Sequence, residues 1–256
     1  MTEARKVAVV TGSSSGIGAA TARLYARHGW NVVVNFSRKP EPAEAVAAEC
    51  RALGVEALVV QADIASDPDC RRLAAQAESA WGRVDVLVNN AGTTKFAPLK
   101  DLDAVSADDF HAIYDVNVVG TYQMTRALVP LMKRTPGGGI VNVSSIASMM
   151  GRGSSIAYMA SKGALNAMTI ALARALGPEL RVNAIAPGFV ETPWLREGLG
   201  AAGYEQAQRA YRDTATLAAV IQPDDVAEAA WWLGAGAAKT TGEVILLDAG
   251  VRLGKA

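Results

Sequence analysis

The sequence predicts an α/β fold, a doubly wound parallel sheet of seven strands with helices on both faces. Three observations predict it. Short, β-branched apolar runs alternate with stretches of helical period along the whole chain. The runs are continuously apolar rather than apolar on alternate residues, so both faces of the sheet are covered. The first run ends in a glycine cluster that opens directly into a helix. The chain has 256 residues, 50% of them apolar, which suits a single sizeable core. No Pro/Ser-rich linker, repeat or shift in composition divides it. One dinucleotide-binding and catalytic domain over residues 1–256 is therefore expected.

The elements follow in order. Lys6–Thr11 (KVAVVT) reads as a buried strand. Ile17, Ala20, Leu24 and Ala26 carry a helical stripe that stops at Gly29. Asn31–Phe36 (NVVVNF) is a second strand, and a helix from about Glu41 to Leu53 ends at Gly54. Glu56–Ala62 is a third strand, followed by a helix over Asp67–Trp81 with Gly82 after it. Val84–Asn89 is a fourth strand, and one long helix is predicted over Ala107–Arg134. Gly139–Ser144 is a fifth strand, Ser155–Leu176 a helix, Arg181–Ala186 a sixth strand, Asp224–Leu233 a helix and Glu243–Leu247 a last strand. The stretch from Phe189 to Gln222 breaks the alternation. It reads as a helical insertion over the carboxyl end of the sheet, where such folds bind ligands.

Composition excludes several classes. The 25 basic and 25 acidic residues give no basic excess, so no nucleic-acid partner is expected. High apolar content at zero net charge excludes a disordered chain. No run approaches the ~20 apolar residues of a membrane helix. The N-terminus carries Glu3 and lacks the apolar region of a signal peptide. Cys50 and Cys70 form no CxxC pair and read as buried thiols, pointing to a reducing, cytoplasmic setting. His28 and His111 have no partner at ligand spacing, so they read as structural and no metal site is expected.

Thr11–Gly18 reads TGSSSGIG, with glycines at 12, 16 and 18. Small residues there let Gly12, Ser14, Ser15, Gly16, Ile17 and Gly18 bring backbone N–H groups close to a pyrophosphate, at the positive end of the following helix. A plain strand-to-helix turn would also use glycine. The strand before and the amphipathic helix after favour the anion site. The end of the second strand bears on which dinucleotide is bound. A carboxylate there would hold the ribose hydroxyls and repel a 2′-phosphate. The chain instead reads Asn35-Phe36-Ser37-Arg38-Lys39, with no acid before Glu41. Ser37 and Arg38 suit a phosphate, so NADP (NADPH) is the expected cofactor. Further on, Tyr158 and Lys162 lie four residues apart in a helical segment and so share a face. A nearby ammonium favours phenolate and would lower a tyrosine pKa from about 10.

The glycine turn, Asn89-Asn90-Ala91-Gly92 after the fourth strand and Tyr158-xxx-Lys162 together resemble the short-chain dehydrogenase/reductase family over essentially the whole chain. Members close to it include 3-oxoacyl-(acyl-carrier-protein) reductases and related carbonyl reductases. The resemblance implies a Rossmann arrangement and an oxidoreductase that moves a hydride between nicotinamide and a carbonyl or secondary alcohol. It implies a catalytic set of Asn117, Ser145, Tyr158 and Lys162. Tyr158 would exchange the proton, and Lys162 would tune it and hold the nicotinamide ribose. Ser145, whose spacing to Tyr158 fits better than that of Ser144, would bond the substrate oxygen, and Asn117 would hold a water on a proton path. It also implies that Asp63 and Ile64 meet the adenine, that Asn90, Ala91 and Gly92 flank its ribose, and that Pro187, Gly188, Val190 and Thr192 meet the nicotinamide. A homotetramer is expected, built on the helices over Ala107–Arg134 and Ser155–Leu176 with their small residues Ala164, Ala167, Ala171 and Ala175. The pocket lining of Thr94, Phe96, Ser148, Met149, Met150, Phe189 and Trp194 favours an uncharged carbonyl substrate, although Lys95 and Arg152 are placed to meet a carboxylate or an acidic carrier. Two alternatives stand beside this reading. One is a non-catalytic NADP-binding regulator on the same fold. The other is an epimerase or dehydratase, whose separate substrate domain this length hardly allows.

Overall fold

The computed structural model describes residues 4–135 and 137–255. Residues 1–3, Glu3 among them, and Pro136 lie outside the described residues. The described chain forms a seven-stranded sheet of β1 (Val7–Val10), β2 (Asn31–Phe36), β3 (Ala57–Gln61), β4 (Val86–Asn89), β5 (Gly138–Val143), β6 (Leu180–Pro187) and β7 (Val244–Leu247). The order is β3-β2-β1-β4-β5-β6-β7 and every pairing is parallel. The chain winds outward from β1 to β3, then returns to lay β4 on the other side of β1. The crevice at that reversal is where ligands bind in such sheets.

Alternate strand residues face opposite ways and feed two cores. Ala8, Val10, Val32, Val34, Val86 and Val88 join one with Tyr25 and Trp30; Val7, Val9, Val33, Leu87 and Ile140 join the other with Met124, Leu128 and Met132. The first core is covered by α1 (Gly16–Arg27), α2 (Pro40–Ala52) and, late in the chain, α9 (Pro223–Trp231). The second is covered by α3 (Asp67–Trp81) and helices of the middle region. Trp231 packs edge-on to Tyr25 and Trp30, and His28 stacks flat on it at 3.8 Å, a structural place for that histidine. Both cysteines are buried and free, and burial pushes their thiols up to about 11 at Cys50 and about 12 at Cys70.

The long middle helix departs from expectation. It runs as α4 (Ala107–Tyr114), a π-helical stretch Asp115–Gly120 and α5 (Thr121–Met132). Such a stretch inside a helix widens one turn by a residue and is frequent at functional sites. Two anchors flank it here. The Asn117 amide is drawn to Thr93 and Ser161, and Gly120 lies so close to Ile64 that a Cβ would stand 2.9 Å from its carbonyl oxygen. After β5 come a short α6 (Ala147–Met150) and α7 (Ile156–Leu176), capped by the Ser155 hydroxyl accepting from the Tyr158 N–H.

The insertion after β6 is helical as expected. Its α8 (Pro193–Thr214) breaks at Gly200, with φ 69° and ψ 164°. The rear piece is held down. Tyr204 and Tyr211 pack on Phe189, and the Tyr211 hydroxyl donates to the Asp248 carbonyl at 2.6 Å. Among the described residues no helix is long and apolar enough to cross a membrane, and no group of three His, Cys, Asp or Glu could hold a metal.

Candidate active site

The glycine turn is fixed by its neighbours. The Asn35 amide reaches across from β2: its Oδ1 accepts from the Gly12 N–H at 2.9 Å, and its Nδ2 donates to the Ala62 carbonyl at 3.0 Å. Ser13 Oγ donates to the Val10 carbonyl and accepts from the Asn35 N–H. From β4, the Asn90 amide donates to the carbonyls of Thr11 and Gly12, and Thr11 Oγ1 accepts from the N–H groups of Asn90 and Ala91. Gly12 has φ +60°, and a Cβ on it would come within 2.9 Å of Ala91 Cα. A Cβ on Gly18 would stand 2.4 Å from the Gly12 carbonyl. The turn therefore brings backbone against backbone, as glycine alone allows. Among the described residues the Ser14 and Ser15 hydroxyls have no hydrogen-bond partner, and α1 starts with no side-chain cap and no acid in its first turn. Its orphan N–H groups are left to an anion, so the residues present fit a pyrophosphate.

The outer side of the crevice also fits a dinucleotide. Ser37, Arg38 and Lys39 stand exposed at the tip of β2, and neither cation makes an ion pair among the described residues. Asp63 accepts from the Ala65 N–H with one oxygen. Ile64 turns its side chain into the core at 3% exposure, so only its backbone is left to a ligand. Val190 is likewise a core residue, bridged to Ile221. Thr192 caps α8 through its hydroxyl, with its methyl group over Gly16. Gly188 lies at the end of β6, where the Tyr211 ring fills the space a side chain would need, and the Pro187 carbonyl accepts from the Ile146 N–H.

The four expected catalytic side chains converge at the carboxyl ends of β4 and β5. Lys162 is 4% exposed and its Nζ donates to the Val143 carbonyl at 2.8 Å. It lies over the Tyr158 ring, 5.7 Å from the centroid. Gly92 sits against both helix residues: a Cβ there would be 3.2 Å from Asn117 Oδ1 and 3.6 Å from Lys162 Nζ. The Ser145 hydroxyl lies near the Tyr158 hydroxyl and favours its ionised form. Trp194, from the front of α8, is 6.2 Å from the Tyr158 ring and 5.8 Å from Phe96. The Phe96 ring in turn fills the space beside Gly198.

Tyr158 is held in its protonated form. Burial pushes its phenol up to about 12, with Ser145 acting against that. The Lys162 ammonium gives one of its three donors to the Val143 carbonyl and lies over the Tyr158 ring. Burial pushes it down to about 8. Asn117 is held from two sides. Both its amide hydrogens and one oxygen lone pair are used, on Thr93 and Ser161, leaving a single lone pair for a water. Lys95 pairs with Asp109 at 2.6 Å.

Sequence reasoning passed over Asn35 as a site residue. The signal was present, a buried-strand position filled by an amide, but its partners lie elsewhere in the sequence, a donor at Gly12 and acceptors at Val60 and Ala62.

Residues 6–199 match the family model described as short chain dehydrogenase. Over 247 residues the chain is 44% identical to the granaticin polyketide synthase ketoacyl reductase 2 of Streptomyces violaceoruber, covering 96% of each. It is 36% identical over 249 residues to a 3-oxoacyl-[acyl-carrier-protein] reductase of Synechocystis, again covering 96% of each. A crystal structure described as a short-chain dehydrogenase/reductase from Burkholderia xenovorans superposes with a TM-score of 0.91 at 41% identity, covering 98% of this chain and 100% of that one. A seven-stranded parallel sheet with a glycine turn at its switch point, matched by relatives along nearly its whole length, makes this chain a member of the short-chain dehydrogenase family, an oxidoreductase built for a nicotinamide cofactor.

Proposed function

We propose that the protein is an NADP(H)-dependent oxidoreductase that interconverts a carbonyl compound and its secondary alcohol in the cytoplasm. The observation that carries the reading is the convergence of Ser145, Tyr158 and Lys162 beside a turn shaped for a pyrophosphate. A bound nicotinamide supplies or accepts the hydride. The chain does the rest. Gly12 to Gly18 hold the pyrophosphate, and Asp63, Ile64, Asn90, Ala91 and Gly92 border the adenosine. Pro187, Gly188, Val190 and Thr192 border the nicotinamide. Ser37 and Arg38 take the 2′-phosphate, a choice supported by the absence of ion pairs at Arg38 and Lys39 among the described residues and by a tip of β2 that carries no carboxylate.

Tyr158 carries a proton at neutral pH, because burial holds its pKa near 12. It is therefore poised to give that proton to a carbonyl oxygen. Ser145 holds the same oxygen by hydrogen bond as charge develops there. Lys162 supplies positive charge and binds the ribose once it leaves Val143, and Asn117 ties the loop after β4 to α7 and offers its last lone pair to a water. Phe96 and Trp194 make an apolar wall beside Tyr158, which fits an uncharged ketone or a 3-oxoacyl thioester. The names of the relatives put the thioester first among substrates to try. The protomer is expected to form a homotetramer, with no nucleic-acid or membrane partner.

The test is Tyr158→Phe, which removes one hydroxyl and keeps the ring. Turnover of the best ketone from a panel of 3-oxoacyl thioesters, simple ketones and sugars is expected to fall by about 10²–10⁴-fold, with the NADPH dissociation constant within a few-fold of wild type. Wild-type turnover in that variant would return the proton role to another group.

A further inference from the structure

The face of α7 that carries Tyr158 and Lys162 continues one turn further to Asn166, at the same spacing of four. Asn166 spans to the loop after β5 with both ends of its amide. Its Oδ1 accepts from Ser144 Oγ at 2.6 Å, and its Nδ2 donates to Ser148 Oγ at 2.9 Å. Ser144 and Ser148 bracket Ser145. The donors and acceptors fix the direction of the whole chain. Ser148 Oγ gives its one proton to the Ser145 carbonyl at 2.6 Å, so it meets Asn166 as an acceptor and must face the NH2 end. The oxygen end is left to Ser144, whose alternative acceptor, the Lys162 carbonyl, is farther away at 3.3 Å. On the loop's other side, Ser145 Oγ accepts from the Ala147 N–H at 3.1 Å. That bond occupies a lone pair and leaves the Ser145 proton to be given toward Tyr158.

We infer that Asn166 is a positioning residue for Ser145, clamping the loop that carries the oxyanion donor onto the helix that carries the proton donor. The two catalytic groups come from different elements, a loop after β5 and α7. The Asn166 amide ties these elements on both sides of Ser145. The inference rests on the proposed role of Ser145, and it adds a residue that never touches substrate or cofactor.

The test is a double-mutant cycle read with a ketone and NADPH. Asn166→Leu removes both amide bonds at similar volume, and Asn166→Ala serves as a second variant should the leucine disturb folding. Either is expected to lower kcat by up to about 10²-fold through misplacement of Ser145, with the NADPH dissociation constant unchanged. In a Ser145→Ala background the same change should cost less than about twofold. Equal cost in both backgrounds would overturn the inference, since a merely structural residue acts whether or not Ser145 is present. Amide hydrogen exchange gives a readout free of turnover. The Ala147 N–H, bonded to Ser145 Oγ, should exchange faster in the Asn166 variants, and unchanged protection would also overturn the clamp. A wild-type enzyme that reduces no carbonyl compound would count against the proposed activity, while the exchange result would still decide the clamp.

Discussion

Burial of the Lys162 ammonium carries a penalty that depends on pH. Its pKa falls from 10.5 to about 8 on folding, so between those values the unfolded chain holds a proton that the folded one has released. Stability contributed at this site therefore rises with pH across that window, and the full penalty stands below it. Tyr158 is shifted upward from 10.0 and works in the opposite sense only above pH 10. Denaturation of wild type and Lys162→Met at about pH 7.5 and about pH 9.5 should show the wild type gaining on the variant at the higher value; parallel curves would contradict the burial argument. Arg38 is the other residue whose environment makes a measurable statement. It is exposed and has no ionic partner among the described residues, so its donors are available to a 2′-phosphate. A charge-assisted bond there is worth about 10- to 150-fold in affinity. Wild type should bind NADPH more tightly than NADH, and Arg38→Ala should close most of that gap in fluorescence titrations. Equal affinities in the wild type would end the assignment.

Between residues, the elements do the positioning. The turn after β1 and the loop after β4 share so little space that Gly18→Ala would drive a methyl group to 2.4 Å from the Gly12 carbonyl and 2.5 Å from the Asn90 amide. Overpacking of this kind costs about 1–3 kcal/mol. The variant is expected to melt lower and bind NADPH more weakly; an unchanged melting temperature and affinity would refute the close approach. Much at this scale was legible in the sequence. Continuous apolar runs gave the strands, and Gly82, Ser106 and Ser155 act as helix ends where their chemistry predicts. The break in the middle helix was not legible. Nothing in Asp115–Gly120 is a helix breaker apart from one glycine. The π-helical turn coincides with contacts to Ile64 and Thr93, which are distant in sequence. The set of Asn117, Ser145, Tyr158 and Lys162 was expected from the family resemblance, and the fold brings these residues near one another. Two amides were not legible, Asn35 under the glycine turn and Asn166 beside Ser145, because each is explained by partners from other segments.

For the whole molecule, the surface suggests partners of its own kind. Ala167, Ala171 and Ala175 lie exposed along α7, with Ile170 at 50% exposure; Tyr122 on α5 is 46% exposed and Val119 beside it 41%. Small and apolar side chains on two helices let a second copy approach closely, and two different two-fold contacts give a tetramer. Light scattering at micromolar protein should give four times the chain mass of 26.7 kDa, and a monomer mass would exclude it. The break at Gly200 also matters for how a substrate gets in. Behind it, Tyr204 and Tyr211 lock the rear of α8 to Phe189 and to the end of β7. In front of it, the short piece bearing Trp194 rests on Phe96 through aromatic contact and the bare flank of Gly198. The entrance thus has a hinge post set in the body of the protein and a narrow door hung on one glycine. Opening it would give up the contacts of Trp194 with Phe96 and Tyr158 and of Arg196 with the Tyr204 ring, and would leave the rear frame in place.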